Sequence, residues 1–154
     1  MNIITRDQYL MGRDKEYPIS ALMEKHMMFL LDKVNQLAKP IYEETGEQLI
    51  VSSGYRPDAI NKKILGAAKN SLHSICLAVD CVDKDGKIMA FMIKNYHLPK
   101  ALLLRIEHGA YTKGWIHFDG KNLGENYNKT FYIPYNGAPL PQFYNPLFKS
   151  LICF

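Results

Sequence analysis

Three residues in this chain have side chains and a spacing that suit metal chemistry: His73, Asp80 and His117. Imidazole nitrogen together with carboxylate oxygen suits zinc, and three protein ligands with a fourth position left to water define a catalytic rather than a structural zinc site. Asp80 falls in an apolar run, residues 76–82, that reads as a strand. Side chains alternate along a strand, so Ala78 and Asp80 share one face while Val79 and Cys81 share the other. His117 falls in a second run, residues 115–119, with Asp119 on its own face and Ile116 and Phe118 on the opposite one. His73 lies a few residues before the first run, in a loop able to fold over the strand end. Two neighbouring strands would then present Asp80 and His117 together. Taken alone, two histidines and an aspartate fit hydrogen-bonded core or surface residues equally well.

The elements that must position these groups are readable from periodicity. The first eighteen residues read as an ordered arm or short helix ending at Pro18. Ser20 is a suitable N-cap, and Leu22, Met23, Met27, Leu30, Leu31, Val34 and Leu37 recur at spacings of three and four. That spacing predicts a helix over 20–39, stopped near Pro40, with its methionine-rich stripe in the core. Residues 48–55 read as a buried strand running into a turn, and Pro57-Asp58 opens a short helix through Ile64. The Asp83-Lys84-Asp85-Gly86 turn leads to a helix over 87–96. Strands are expected over 102–107, 115–119 and 131–135. The stretch 136–154, with Pro139, Pro141 and Pro146, is expected to wrap the surface. A helix first, strands clustered later and no regular βαβ alternation predict an α+β fold, with a mostly antiparallel sheet and N-terminal helices packed on one face.

Composition bounds the rest. The 154 residues amount to one domain, 47% apolar and 22% charged, which excludes a disordered, collagen-like or coiled-coil chain. The net charge of +4 is scattered, so nucleic acid is not an expected partner. Three cysteines, Cys76, Cys81 and Cys153, do not make a disulfide framework. The N-terminus carries Arg6, Asp7, Arg13, Asp14, Lys15 and Glu16 and does not read as a secretory signal; no apolar stretch approaches the ~20 residues needed to span a bilayer. A cytoplasmic protein at synthesis, without membrane insertion and monomeric, is expected.

The ordered series Ser53-Gly-Tyr-Arg56-Pro, Ile60-Asn61, Ser71-Leu-His73, Ala78-Val-Asp80 and Gly114-Trp-Ile-His117-Phe-Asp119 resembles the zinc D-Ala-D-Ala carboxypeptidase family. That family includes phage L-alanyl-D-glutamate endolysins and shares its fold with hedgehog signalling domains. The early Tyr-Leu-Met-Gly-Arg-Asp, residues 9–14, resembles the branch found in phages and prophages. The resemblance covers residues 9–135 and implies a hedgehog/DD-peptidase-like fold. It implies that His73, Asp80 and His117 hold zinc, that Arg56 stands beside the metal to hold a substrate carboxylate or polarise a carbonyl, and that Ser71 orders the loop or reaches substrate. The implied reaction is zinc-dependent hydrolysis of an amide bond in a peptidoglycan stem peptide. The implied setting is a lysis enzyme or virion-associated wall hydrolase that acts after release. An anionic wall is then the more economical partner for a basic chain.

Two departures from the family pattern bear on that expectation. Many members have glycine three residues after the first histidine, where this chain has Cys76; by strand parity this thiol faces the side of Asp80 and could serve as a fourth ligand. Endopeptidase members carry a glutamate three residues before the second histidine, where this chain has Gly114. Pairing 102–108 with 114–119 around the intervening loop sets Glu107 opposite Trp115 and Arg105 opposite His117, and puts Glu107 on the face of His117. Glu107 is therefore the expected general base, with Asp119 the alternative or a group that orients His117. A non-catalytic zinc-binding module of the same fold is the competing reading, which the missing glutamate supports.

Overall fold

Strand alternation builds a sheet with two unlike faces. The computed structural model describes residues 2–65, 67–120 and 130–132. Among them are β1 (Val51–Ser53), β2 (Ala78–Asp83), β3 (Arg105–Glu107), β4 (Gly114–Asp119) and β5 (Phe131–Tyr132), in the order β1-β2-β4-β3-β5. The first four pair antiparallel and β5 runs parallel to β3, so the fold is α+β as expected. Val79, Cys81, Ile106, Ile116 and Phe118 face a buried apolar layer, and each large side chain there contributes ~1.5–3 kcal/mol. The intervening residues Asp80, Arg105, His117 and Asp119 belong to the opposite face. The expected strand 131–135 is described only over Phe131–Tyr132, and the expected wrapping tail 136–154, with Cys153, lies outside the described residues.

Helices α1 (Arg6–Leu10), α2 (Ala21–Gln36), α3 (Ala38–Thr45), α4 (Asp58–Asn61), α5 (Lys87–Lys94) and α6 (His97–Ala101) complete the described elements, with short 3-10 turns at Arg13–Lys15 and Leu72–Ile75. The oxygen of Ser20 accepts the Met23 N–H, as the cap reading requires, and Met27, Leu30, Leu31 and Val34 are buried. Leu22, expected on that stripe, is exposed. The single helix over 20–39 is in fact two: the chain breaks at Leu37, and Pro40 lies in the first turn of α3. Proline is tolerated there because first-turn N–H groups have no intrahelical acceptor. The strand 76–82 begins at Ala78, because Cys76 closes the 3-10 turn in a left-handed conformation (φ 61°).

Two local devices fix the sheet's ends. The carboxylate of Asp83 accepts the N–H groups of Ile88 and Met89 at 3.0 and 2.9 Å, which starts α5 directly after the Gly86 turn. At the other edge, the N-terminal arm lies against β1: Tyr55 N–H donates to the Tyr9 carbonyl at 2.9 Å, and the Tyr9 hydroxyl donates to the Ala78 carbonyl at 3.0 Å. The approach is so close that a Cβ on Gly54 would stand 1.9 Å from the Tyr9 oxygen, so only glycine fits. Among the described residues, no helix is long and apolar enough to cross a membrane.

Candidate metal centre

Ser71 caps the 3-10 turn that carries His73, its hydroxyl oxygen accepting the His73 N–H at 3.3 Å. His73 Nδ1 lies 2.8 Å from the Gly54 carbonyl, which can only accept, so the proton sits on Nδ1 and Nε2 is free to act as a donor atom. Nε2 lies 3.3 Å from Asp80 Oδ2. Asp80 and His117 are direct cross-strand partners, with Asp80 Oδ1 2.6 Å from His117 Nδ1. The donor atoms of His73, Asp80 and His117 lie within 4.8 Å of one another, and all three residues are buried. The three residues singled out by type and spacing thus converge on one point.

Behind His117 stands a support. Its Nε2 lies 3.5 Å from Asp119 Oδ2, and Asp119 takes Arg105 Nε and Nη2 on its two oxygens, each at 2.7 Å. Both partners are almost wholly buried, so this is a geometrically fixed, charge-assisted pair. Removing one partner of such a pair leaves an uncompensated buried charge. Arg105→Met is expected to lower unfolding stability by about 3–5 kcal/mol, measured by denaturant titration of the metal-free protein.

Charge at the site is arranged for a cation. Burial pulls His117 down, but Asp119 and Asp80 against its two ring nitrogens outweigh that and raise it to about 9. Burial pushes Asp80 up, but contacts with His117 and His73 hold it well below the usual carboxylate range. Asp119 is likewise pushed up by burial and brought down to about 2 by His117 and Arg105. Burial lowers His73, which favours the neutral, ligating ring. With Arg105 balancing Asp119, Asp80 is the buried carboxylate left for a metal ion to neutralise, and the two-nitrogen, one-oxygen donor set fits zinc.

The remaining candidates surround this point. Glu107 ends β3; continuing the register of Arg105 with Asp119 and Ile106 with Phe118 sets it opposite His117. The expected register was two residues off. An even shift keeps every side chain on its face, so Glu107 still shares the face of His117, whereas a shift of one would have turned it away. It is half-buried, and burial, with Asp80 and Asp119 nearby, lifts it to about 7 despite the opposing pull of His117. Asp119, in contrast, has both oxygens engaged by Arg105. Arg56 follows β1, its N–H on the His73 carbonyl at 3.2 Å and its Nη2 on Ser71 Oγ at 3.3 Å. Its Nε is buried without a hydrogen-bond partner among the described residues. The Cys76 parity reading fails because Cys76 is not in the strand. Its thiol bonds with the Tyr9 hydroxyl, and burial pushes it up to about 12. Its left-handed backbone explains why glycine suits that position.

Two contributors escaped the sequence reading: Arg105 as the clamp on Asp119, and the Gly54 carbonyl that sets the His73 tautomer. Arg105 carried a usable signal, a charge inside an otherwise apolar run on the face of Glu107. A backbone carbonyl carries none.

Two buried histidines and one buried carboxylate gathered at the polar face of a small α+β sheet are a donor set that could hold a metal ion. The family model described as Peptidase M15 matches residues 14–119, well over half of the 154 residues, and the chain belongs to that metallopeptidase family. Comparisons with curated proteins and with solved structures return no match.

Proposed function

We propose that this protein is a zinc-dependent peptidase that hydrolyses an amide bond in the stem peptide of peptidoglycan, as a D,D-carboxypeptidase or an endopeptidase. The observation that carries this is the convergence of His73, Asp80 and His117 in an M15 chain, with Glu107 on the same sheet face. His73 Nε2, an Asp80 oxygen and His117 Nδ1 would hold the ion. Zinc at such a site supplies Lewis acidity toward water and toward a carbonyl oxygen.

The chain's own groups supply the rest. Glu107, lifted to about 7, is poised to take a proton from the attacking water near neutral pH and return it to the leaving amine. Arg56 offers its half-buried guanidinium to the oxyanion or to a substrate carboxylate. Arg105 and Asp119 hold the His117 ring in place, and Ser71 orders both Arg56 and the turn of His73. A wall hydrolase of a phage or prophage, in lysis or on the virion, is the biological setting this reading favours.

Gly114 favours a second reading, a non-catalytic zinc module, because it stands where endopeptidase members have glutamate. Its backbone is left-handed (φ 84°), a conformation in which a glutamate would be strained. The two readings part on one experiment. Zinc-loaded protein incubated with purified sacculi is expected to release D-Ala or expose new amino groups, seen by mass analysis, and a chelator is expected to stop it. Zinc-loaded protein inert on several wall types would favour the non-catalytic module.

A further inference from the structure

The motif Tyr9-Leu10-Met11-Gly12-Arg13 has no part in the mechanism above, yet the fold spends much to place its last residue. Tyr9 is locked to β1 and β2 by the two hydrogen bonds described above, and Leu10 is in the core. Met11 and Gly12 then both take left-handed backbone conformations (φ 56° and 72°). A methionine in that region is strained, and such strain persists only where surrounding structure enforces it. The reversal delivers Arg13, whose Nη1 donates to the Tyr55 carbonyl at 2.6 Å. That carbonyl belongs to the peptide bond joining Tyr55 to Arg56, so the arm sets its guanidinium beside the base of Arg56.

Arg13 and Arg56 are thus two half-buried cations brought to one peptide group. Among the described residues, no carboxylate lies within ion-pairing distance of either; Asp14, next to Arg13 in sequence, pairs with Arg6 instead. The acid that Arg56 does sense, Asp80, belongs to the metal site. Two half-buried cations with no ion-pairing carboxylate among the described residues suit a carboxylate supplied from outside, since planar guanidinium groups bind carboxylates through paired, charge-assisted hydrogen bonds.

We propose that Arg13 and Arg56 together form a carboxylate cradle beside the metal centre, and that Arg13 is a specificity-determining residue selecting substrates with a free carboxylate. This rests on the peptidase reading for the identity of the substrate, and it narrows that substrate to unamidated stem peptides.

The test uses a pentapeptide ending in D-Ala-D-Ala in three forms: both carboxylates free, the C-terminal carboxylate amidated, and the D-Glu α-carboxylate amidated. Calorimetry on zinc-loaded protein reads affinity where a peptide is stable and KM where it is cleaved; mass analysis of the same mixtures reads cleavage. The unaltered protein is expected to prefer the free form over one of the amides by about tenfold or more, and that amide names the carboxylate held. Arg13→Gln, which keeps a donor for the Tyr55 carbonyl but drops the charge, is expected to lose most of the preference; Arg13→Lys is expected to keep part of it. Equal affinity for all three forms on the unaltered protein overturns the cradle, and needs no variant to fold. So does an undiminished preference in Arg13→Gln. Cleavage without an Arg13-dependent preference sinks the cradle and keeps the peptidase. An Arg13-dependent preference without cleavage does the reverse.

Discussion

Glu107→Gln is expected to lower kcat by about 10²–10⁴ while the protein keeps its zinc, because glutamine preserves the shape and cannot take a proton. The effect is large because, among the described residues, Asp80 and Asp119 on that sheet face are already engaged, by the metal site and by Arg105. Asp119 is held to about 2, with both oxygens on Arg105, so it is a weak base at neutral pH. Gly114 has no side chain at the position where endopeptidase members carry their acid. The pH profile gives an independent reading. Glu107 must be ionised to act, so kcat/KM is expected to fall as pH drops through the value of Glu107; that value is about 7 in the metal-free protein, and a bound cation moves it lower. The same group affects metal-free stability with a fixed sign. Its folded value lies above the ordinary carboxylate value of 4.5, so its contribution is full below about 4.5 and is lost as pH rises through about 7. Steady-state rates from pH 5 to 9, with zinc content measured on the same samples, check the assignment. A variant that holds zinc and cleaves at the unaltered rate would remove Glu107 from the chemistry.

The parts of this site that sequence revealed are those that depend on period and type. A period of two placed Asp80 with Ala78 and His117 with Asp119, and that parity survives any even error in register. Hence Glu107 was placed on the right face although its partner was misjudged by two residues. What depends on exact register was not legible: only the true pairing sets Arg105 opposite Asp119. Helix ends were misjudged where a strong local signal has two meanings. Pro40 reads as a stop, yet it is equally at home in the first turn of a new helix. The extension of the strand back to Cys76 failed for a related reason. An apolar residue beside a strand was counted into it, when its backbone belongs to a tight turn closed by a left-handed residue. Contacts made by backbone atoms, such as Gly54 to His73 and Tyr9 to Tyr55, leave no trace in side-chain type except the glycine that permits the close approach.

Zinc retention is expected to grade with distance from the ion. Purified protein should hold about one zinc per chain, and His73→Ala or His117→Ala should reduce it to near background, since three protein ligands leave no redundancy. Asp119→Asn keeps the three donors but weakens the support behind His117 Nε2, so a smaller loss of affinity, about 10–100-fold, is expected. Chelator competition separates the two classes. Thermal unfolding supplies a check independent of activity: an ion bound only to the folded chain raises its stability in proportion to the logarithm of metal concentration over Kd. The unaltered protein should therefore melt higher with zinc than with chelator, and His117→Ala should melt at one temperature in both. Cys76→Ala should leave the zinc shift intact, because the thiol faces the Tyr9 hydroxyl and is not among the converging donors. Full zinc retention in both histidine variants would dismantle the metal centre, and loss of zinc in Cys76→Ala would restore the closed, structural site that competes with it.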